Sequence, residues 1–126
     1  DTFSDLLYKG AVRDEARAVY QGLIIARPGA VRTDAYQKNN NIVLHHGARA
    51  DSMPGLEIQT DNLKCSHGST VGNLDPEQIF YLRSRGMPEP LARRGLLRGF
   101  FEELLERLPA DVLREEVREQ WEQRMI

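Results

Sequence analysis

The chain's one cysteine, Cys65, stands two positions before His67, one of three histidines, within Lys64-Cys65-Ser66-His67-Gly68-Ser69-Thr70-Val71-Gly72. In an extended segment, side chains at i and i+2 emerge on one face, roughly 7 Å apart. A soft thiolate and an imidazole are ligands for iron, zinc and copper. Two such groups leave a coordination sphere open, so the pair points to a site finished by another chain. Each residue also has a plainer reading: a free cysteine as a small buried hydrophobe, and a histidine bonded to backbone.

Other groups of this kind are weaker. His45 and His46 are adjacent, face opposite ways in a strand and precede Gly47, so a solvated turn is expected there. Glu57 is a ladder polar residue by default, although its strand register has the option of setting it beside Cys65. Ser69 and Thr70 read as a small-hydroxyl turn or as the approach to a helix cap. No nucleophile–base pair, phosphate loop or carboxylate dyad with catalytic spacing is present, so turnover chemistry is not expected of the chain.

The elements that must hold Cys65 and His67 are short and β-rich. Strand signals cover Leu6 to Tyr8, Arg17 to Ile25, Val31 to Gln37, Ile42 to Leu44, Leu56 to Ile58 and Leu63 to Cys65. Between them, Lys9-Gly10, Arg27-Pro28-Gly29, Lys38-Asn39-Asn40-Asn41, His45-His46-Gly47, Met53-Pro54-Gly55 and Thr60-Asp61-Asn62 read as turns. The strands echo one another. Leu23-Ile24-Ile25 precedes Gly29-Ala30-Val31, as Ile42-Val43-Leu44 precedes Gly47-Ala48-Arg49, with the Gly-Ala pair 18 positions later. Such spacing fits rungs of a parallel β-solenoid; an antiparallel sandwich has similar statistics. A left-handed β-helix of the hexapeptide acyltransferase kind needs a strict six-residue apolar repeat, which Ile25 to Ile58 does not keep.

Near residue 74 the chain turns helical. Asp75-Pro76-Glu77-Gln78 supplies an N-cap, a proline at the first helical position and a capping-box glutamine, and Gly86 ends that helix. A second helix is expected from about Pro90 to Leu108. Its apolar stripe is Leu97, Phe100, Phe101, Leu104, Leu105 and Leu108, with Arg93, Arg94, Glu102, Glu103 and Glu106 in solvent. Pro109 stops it. A third helix from near Asp111 carries a narrow stripe of Leu113, Val117, Trp121 and Met125, with Trp121 a packing anchor or a partner contact.

Composition bounds the rest. The 126 residues are about one domain's worth of chain. A net charge of −2 gives no reason to expect nucleic acid or a membrane as partner. No apolar run approaches the roughly 18–20 residues of a membrane span. A lone cysteine fits a reducing compartment. The chain opens at Asp1 in what reads as mid-domain sequence, so a carboxyl-terminal piece of something longer is expected.

The segments Tyr8-Lys9-Gly10, Thr33-Asp34-Ala35-Tyr36-Gln37, Asn39-Asn40-Asn41 and Asp61-Asn62-Leu63-Lys64-Cys65-Ser66-His67-Gly68 closely resemble the conserved end of the SufB/SufD family. So do Thr70-Val71-Gly72 and Phe80-Tyr81-Leu82-Arg83-Ser84-Arg85-Gly86. These are subunits of the SUF iron–sulfur cluster assembly machine, and the likeness covers nearly all of the chain, weakening past about Pro109. Cys65-Ser66-His67-Gly68 looks like the SufD form; SufB more typically has glutamates at the positions of Ser66 and Gly68.

The resemblance implies a β-helix plus α fold: terminal rungs of a right-handed parallel β-helix over 1–74, then an α-helical subdomain over 75–126. It implies a non-catalytic cytoplasmic or plastid-stromal scaffold that pairs with SufB or with a second SufD. The SufC ATPase would dock on the helical part, which includes Phe80, Leu97, Phe101 and Trp121. His67 matches a SufD histidine implicated in holding a nascent cluster at the subunit interface. Cys65 occupies the column of a SufB cysteine. The cluster would be transient and shared with the partner, with none held tightly by this fragment alone. Two alternatives stay open: a SufB-like cluster-holding scaffold, and a structural adaptor in which neither residue is a ligand.

Overall fold

The computed structural model describes residues 1–124. Its order is β1(Thr2–Val12), β2(Arg17–Ala26), β3(Thr33–Val43), β4(Arg49–Ile58), β5(Lys64–Gly72), α1(Pro76–Ser84), α2(Glu89–Glu106) and α3(Asp111–Arg124). Two compact units result, Asp1–Asn73 and Leu74–Ile126.

In the first unit the odd strands form one sheet, in the order β1-β3-β5, and the even strands β2 and β4 form another. Every ladder is parallel, which overturns the antiparallel alternative. Thr2 lies beside Thr33, 31 positions on; Arg17 beside Arg49, 32 on; Asp34 beside Lys64, 30 on. The 18-residue echo in the sequence therefore spans a step from one sheet to the other, a little over half of the true interval.

Five long strands replace the six short ones expected. Lys38-Asn39-Asn40-Asn41 is no turn but the middle of β3, because its alternate side chains turn inward: Ala35, Gln37, Asn39 and Asn41 are all buried. The asparagine amides pair, Nδ2 of Asn41 donating to Oδ1 of Asn39 at 2.6 Å. Asn41 leans beneath its register partner Gly10, where a Cβ would stand 2.5 Å from its Oδ1. Lys9-Gly10 is accordingly strand as well. Met53-Pro54-Gly55 falls inside β4, an edge strand, where a residue without an N–H is tolerated. Ser69 and Thr70 belong to β5, and Thr70 Oγ1 donates to Asn40 Oδ1 at 3.0 Å.

The corners between strands stack. Ladder-like bonds continue through them, Leu44 N–H to the Val12 carbonyl at 2.9 Å and Arg49 N–H to the Ala16 carbonyl at 3.0 Å. Arg32 adopts φ 57, a cost for a bulky residue that its bonds offset. Its N–H donates to the Asn62 carbonyl at 2.7 Å, and its guanidinium grips Asp1 through two bonds of 2.6 and 2.9 Å.

The helical unit follows the local signals. Asp75 caps α1 by accepting from the Glu77 N–H at 2.9 Å, and Gly86, at φ +88, ends the helix with its N–H on the Arg83 carbonyl. α2 packs on α1 and on α3. Leu97, Leu105 and the unanticipated Ala92 are its buried residues. Glu102, expected in solvent, is half-covered and holds Arg118 of α3 at 2.6 Å. The α3 stripe also differs: Leu113 and Val117 are exposed, while Arg114 and Arg118 are more covered. Met125 lies outside the described residues.

Candidate functional site

Cys65 and His67 both lie on β5, an edge of the three-stranded sheet. Their register partners on β3 are Ala35 and Gln37, two of the buried residues of that strand. Because neighbours in a parallel ladder share a face, Cys65 and His67 occupy the continuation of the inward row. Cys65 is half-buried and His67 exposed, since no further strand flanks β5 among the described residues. The i, i+2 pair is thus brought to one face, with a thiol against the interior and an imidazole open to approach.

Beneath His67 the interior is polar. Gln37 is 1% exposed and the largest fully buried side chain. Its Oε1 accepts from the Tyr20 hydroxyl at 3.0 Å, and its Nε2 donates to the Gly55 carbonyl at 3.0 Å. Gly22 leaves room for both: a Cβ there would meet the Tyr20 hydroxyl at 2.5 Å and Gln37 Oε1 closer still. Burial, and then the charge of nearby Tyr8, holds the Tyr20 phenol above its usual range, so it stays a donor. The Tyr8 and Tyr20 rings lie 5.1 Å apart.

Among the described residues no three His, Cys, Asp or Glu side chains gather as a metal site. Glu57 is not beside Cys65: it pairs in register with Ile25 in the other sheet, and Gln59 donates to it. His45 sits at a corner, as the turn reading expects, where its Nδ1 accepts from the Asp14 N–H at 2.7 Å. That bond uses the lone pair a metal would need.

The four helical residues with an expected docking role sit differently. Leu97 is buried, and Phe101 meets Trp121 edge to face with centroids 4.8 Å apart. Phe80 is 73% exposed, next to the also exposed Tyr81. Gln37 and Tyr20 are residues that sequence reasoning missed. Both fell in segments read as strand, but the alternation that continues inward from Gln37 through Asn39 and Asn41 was hidden because Lys38-Asn39-Asn40-Asn41 reads as a turn.

The SufBD core domain of the SUF iron–sulfur cluster assembly system matches residues 1–100. The chain belongs to the SufBD family. Of its SufBD relatives, an iron–sulfur cluster assembly SufBD family protein of Mycobacterium leprae is 45% identical over 123 residues, 91% of this chain and 31% of that protein. The iron–sulfur cluster assembly protein SufD of Escherichia coli is 45% identical over 111 residues, 88% of this chain and 26% of that one. A chloroplastic protein of Arabidopsis thaliana is 33% identical over 102 residues, 81% and 22%. The chain spans less than a third of the length of these curated relatives. Among the described residues no helix is long and apolar enough to cross a membrane.

Proposed function

We propose that this chain forms part of a non-catalytic scaffold for iron–sulfur cluster assembly of the SufD type, in which His67, with Cys65 beside it, contributes to a labile cluster or iron site completed by a second subunit. One observation carries the reading. The two residues with soft-metal chemistry share the inward row of an edge strand, and the imidazole is open to approach. Iron and sulfide must be bound tightly enough to assemble, yet released on demand. A neutral imidazole leaves an Fe–S unit more readily than a thiolate, because protonation competes for it.

The fold belongs to the same proposal. Strands that alternate between two parallel sheets, with partners 30 to 32 residues apart, are what successive rungs of a parallel β-helix produce. We take its hand as right, as for other crossovers between parallel strands. The partner across the site is a SufB-type subunit or a second SufD. The helical unit docks a SufC-type ATPase, which supplies all ATP hydrolysis. Exposed Phe80 and Tyr81 support that role, whereas Leu97, Phe101 and Trp121 support it only through packing of the unit itself. A soluble compartment, bacterial cytoplasm or plastid stroma, follows from the same assignment.

The test is His67→Ala in the full-length protein with its SUF partners, reading iron and sulfide per complex. A drop of about tenfold or more supports the ligand role. Unimpaired loading by an intact complex overturns it in favour of a structural adaptor.

A further inference from the structure

We infer that Tyr36 and Asn40 of β3 are positioning residues that pin the register of the edge strand β5 from its outer face, and so keep His67 on the inner one. This rests on the reading of His67 as a ligand and names what holds it in place.

β5 has little of its own to fix its register. From Ser66 to Gly72 its one apolar residue is Val71, two positions are glycine, and its sole ladder neighbour among the described residues is β3. Glycine-rich strands that are polar on both faces slip easily, and a slip of one position sends every side chain to the other face. His67 would then turn outward, away from the inward row.

The outer face of β3 opposes that slip at two points. Ala35, Gln37, Asn39 and Asn41 are buried, so Tyr36, Lys38 and Asn40 alternate outward. Asn40 is in register with Thr70, and its Oδ1 accepts from the Thr70 hydroxyl at 3.0 Å. Tyr36 is in register with Ser66, but its phenol leans along the strand to Gly68, where an added Cβ would stand 3.1 Å from the hydroxyl. Cγ of Lys38 is 4.0 Å from the same point. Within β5 only Cys65 and Gly68 are partly covered. A shift of one position in either direction would bring His67 or Ser69 to the place of Gly68, and their side chains would collide with the phenol. The missing side chain at Gly68 is therefore what Tyr36 reads.

The test is made by NMR on the full chain, free of metal and partner. Thr70→Val keeps the shape of the side chain and removes the donor. Exchange of the protected β5 amides should speed up about threefold against those of β2 and β4, the effect of one modest hydrogen bond. Register exchange should also broaden the His67 ring signal in a way that relaxation dispersion detects. Thr70→Ser, which returns the hydroxyl, should restore both. Gly68→Ala should loosen β5 similarly, and Tyr36→Phe combined with it should recover part of the loss, because the hydroxyl that the methyl meets is gone. Unchanged β5 exchange in Thr70→Val, or a rise shared equally by all strands, overturns the role of Asn40. A harmless Gly68→Ala, or no recovery on adding Tyr36→Phe, overturns that of Tyr36. Neither readout involves iron, so both fail independently of cluster loading in His67→Ala, which tests the ligand role alone.

Discussion

The strand unit and the helical unit solve the problem of order by different means. In Leu74–Ile126 the buried residues are large and apolar: Leu74, Ile79, Leu97 and Leu105, with Ala92 between them. In Asp1–Asn73 the buried apolar residues are Val12, Ala26, Ala35 and Ala48, and the bulk inside is carried by Gln37, Asn39 and Asn41. Three parallel ladders compensate, since each strand bonds its backbone to its neighbour in the sheet. A unit held by its main chain can place amides and an imidazole on an inner row. A unit held by leucine packing has no such freedom, and it offers surface instead.

The contrast can be broken most forcefully in the helices. Leu97→Ala should cost about 3 kcal/mol of helical-unit stability, the usual toll of a cavity at a buried leucine. Hydrogen exchange resolved by unit would read it, with strand amides unaffected. Gly22→Ala should cost about 2 kcal/mol in the strand unit by overpacking, followed by the same measurement. Here the added methyl meets polar atoms, so Tyr20→Phe combined with it should recover part of the loss.

Smaller effects sharpen the same comparison. Arg118 ties α3 to α2 through Glu102, which along with Glu115 holds its guanidinium above the usual range. Its Nε is nonetheless buried without a partner. Arg118→Met keeps the stem and loses the tie, and Trp121 emission should move to longer wavelength. In the strand unit, Asp51 bonds Arg49 at 2.7 Å and Arg17 at 2.6 Å, and these bonds, Arg49 first, lower its carboxyl below the ordinary value of 3.8. A group with a depressed folded value contributes stability that is fully present above the unfolded value and lost as pH falls through the folded one. Acid unfolding of the strand unit below pH 3.8 should therefore be shallower in Asp51→Asn.

Legibility followed the range of the interaction. The cap at Asp75, the stop at Gly86 and the stripe through Leu97 and Leu105 are local, and the sequence displays them in consecutive turns. The pairing of Cys65 and His67 on one face was equally local, a matter of two positions. Lys38-Asn39-Asn40-Asn41 misled because polar residues favour turns in general and become strand where their amides find partners, here Asn41 on Asn39 within β3 and Thr70 of β5 on Asn40. Gln37 and Tyr20 matter through neighbours 30 and 17 positions away, a distance at which composition carries no signal. The α3 stripe failed for a related reason: Arg118 finds its partner on another helix and turns the charged side inward.

The unequal ladder intervals have a consequence for how such a chain varies. Corners at Arg13–Ala16, Arg27–Arg32 and Leu44–Ala48 absorb a residue more or less, leaving each strand in phase. A single deletion inside Thr33–Val43 instead swaps the two sides of everything beyond it, sending amides outward and charges inward. Length drift among kin should accumulate at the bends and spare the straight runs, like slack taken up only at the knots of a net.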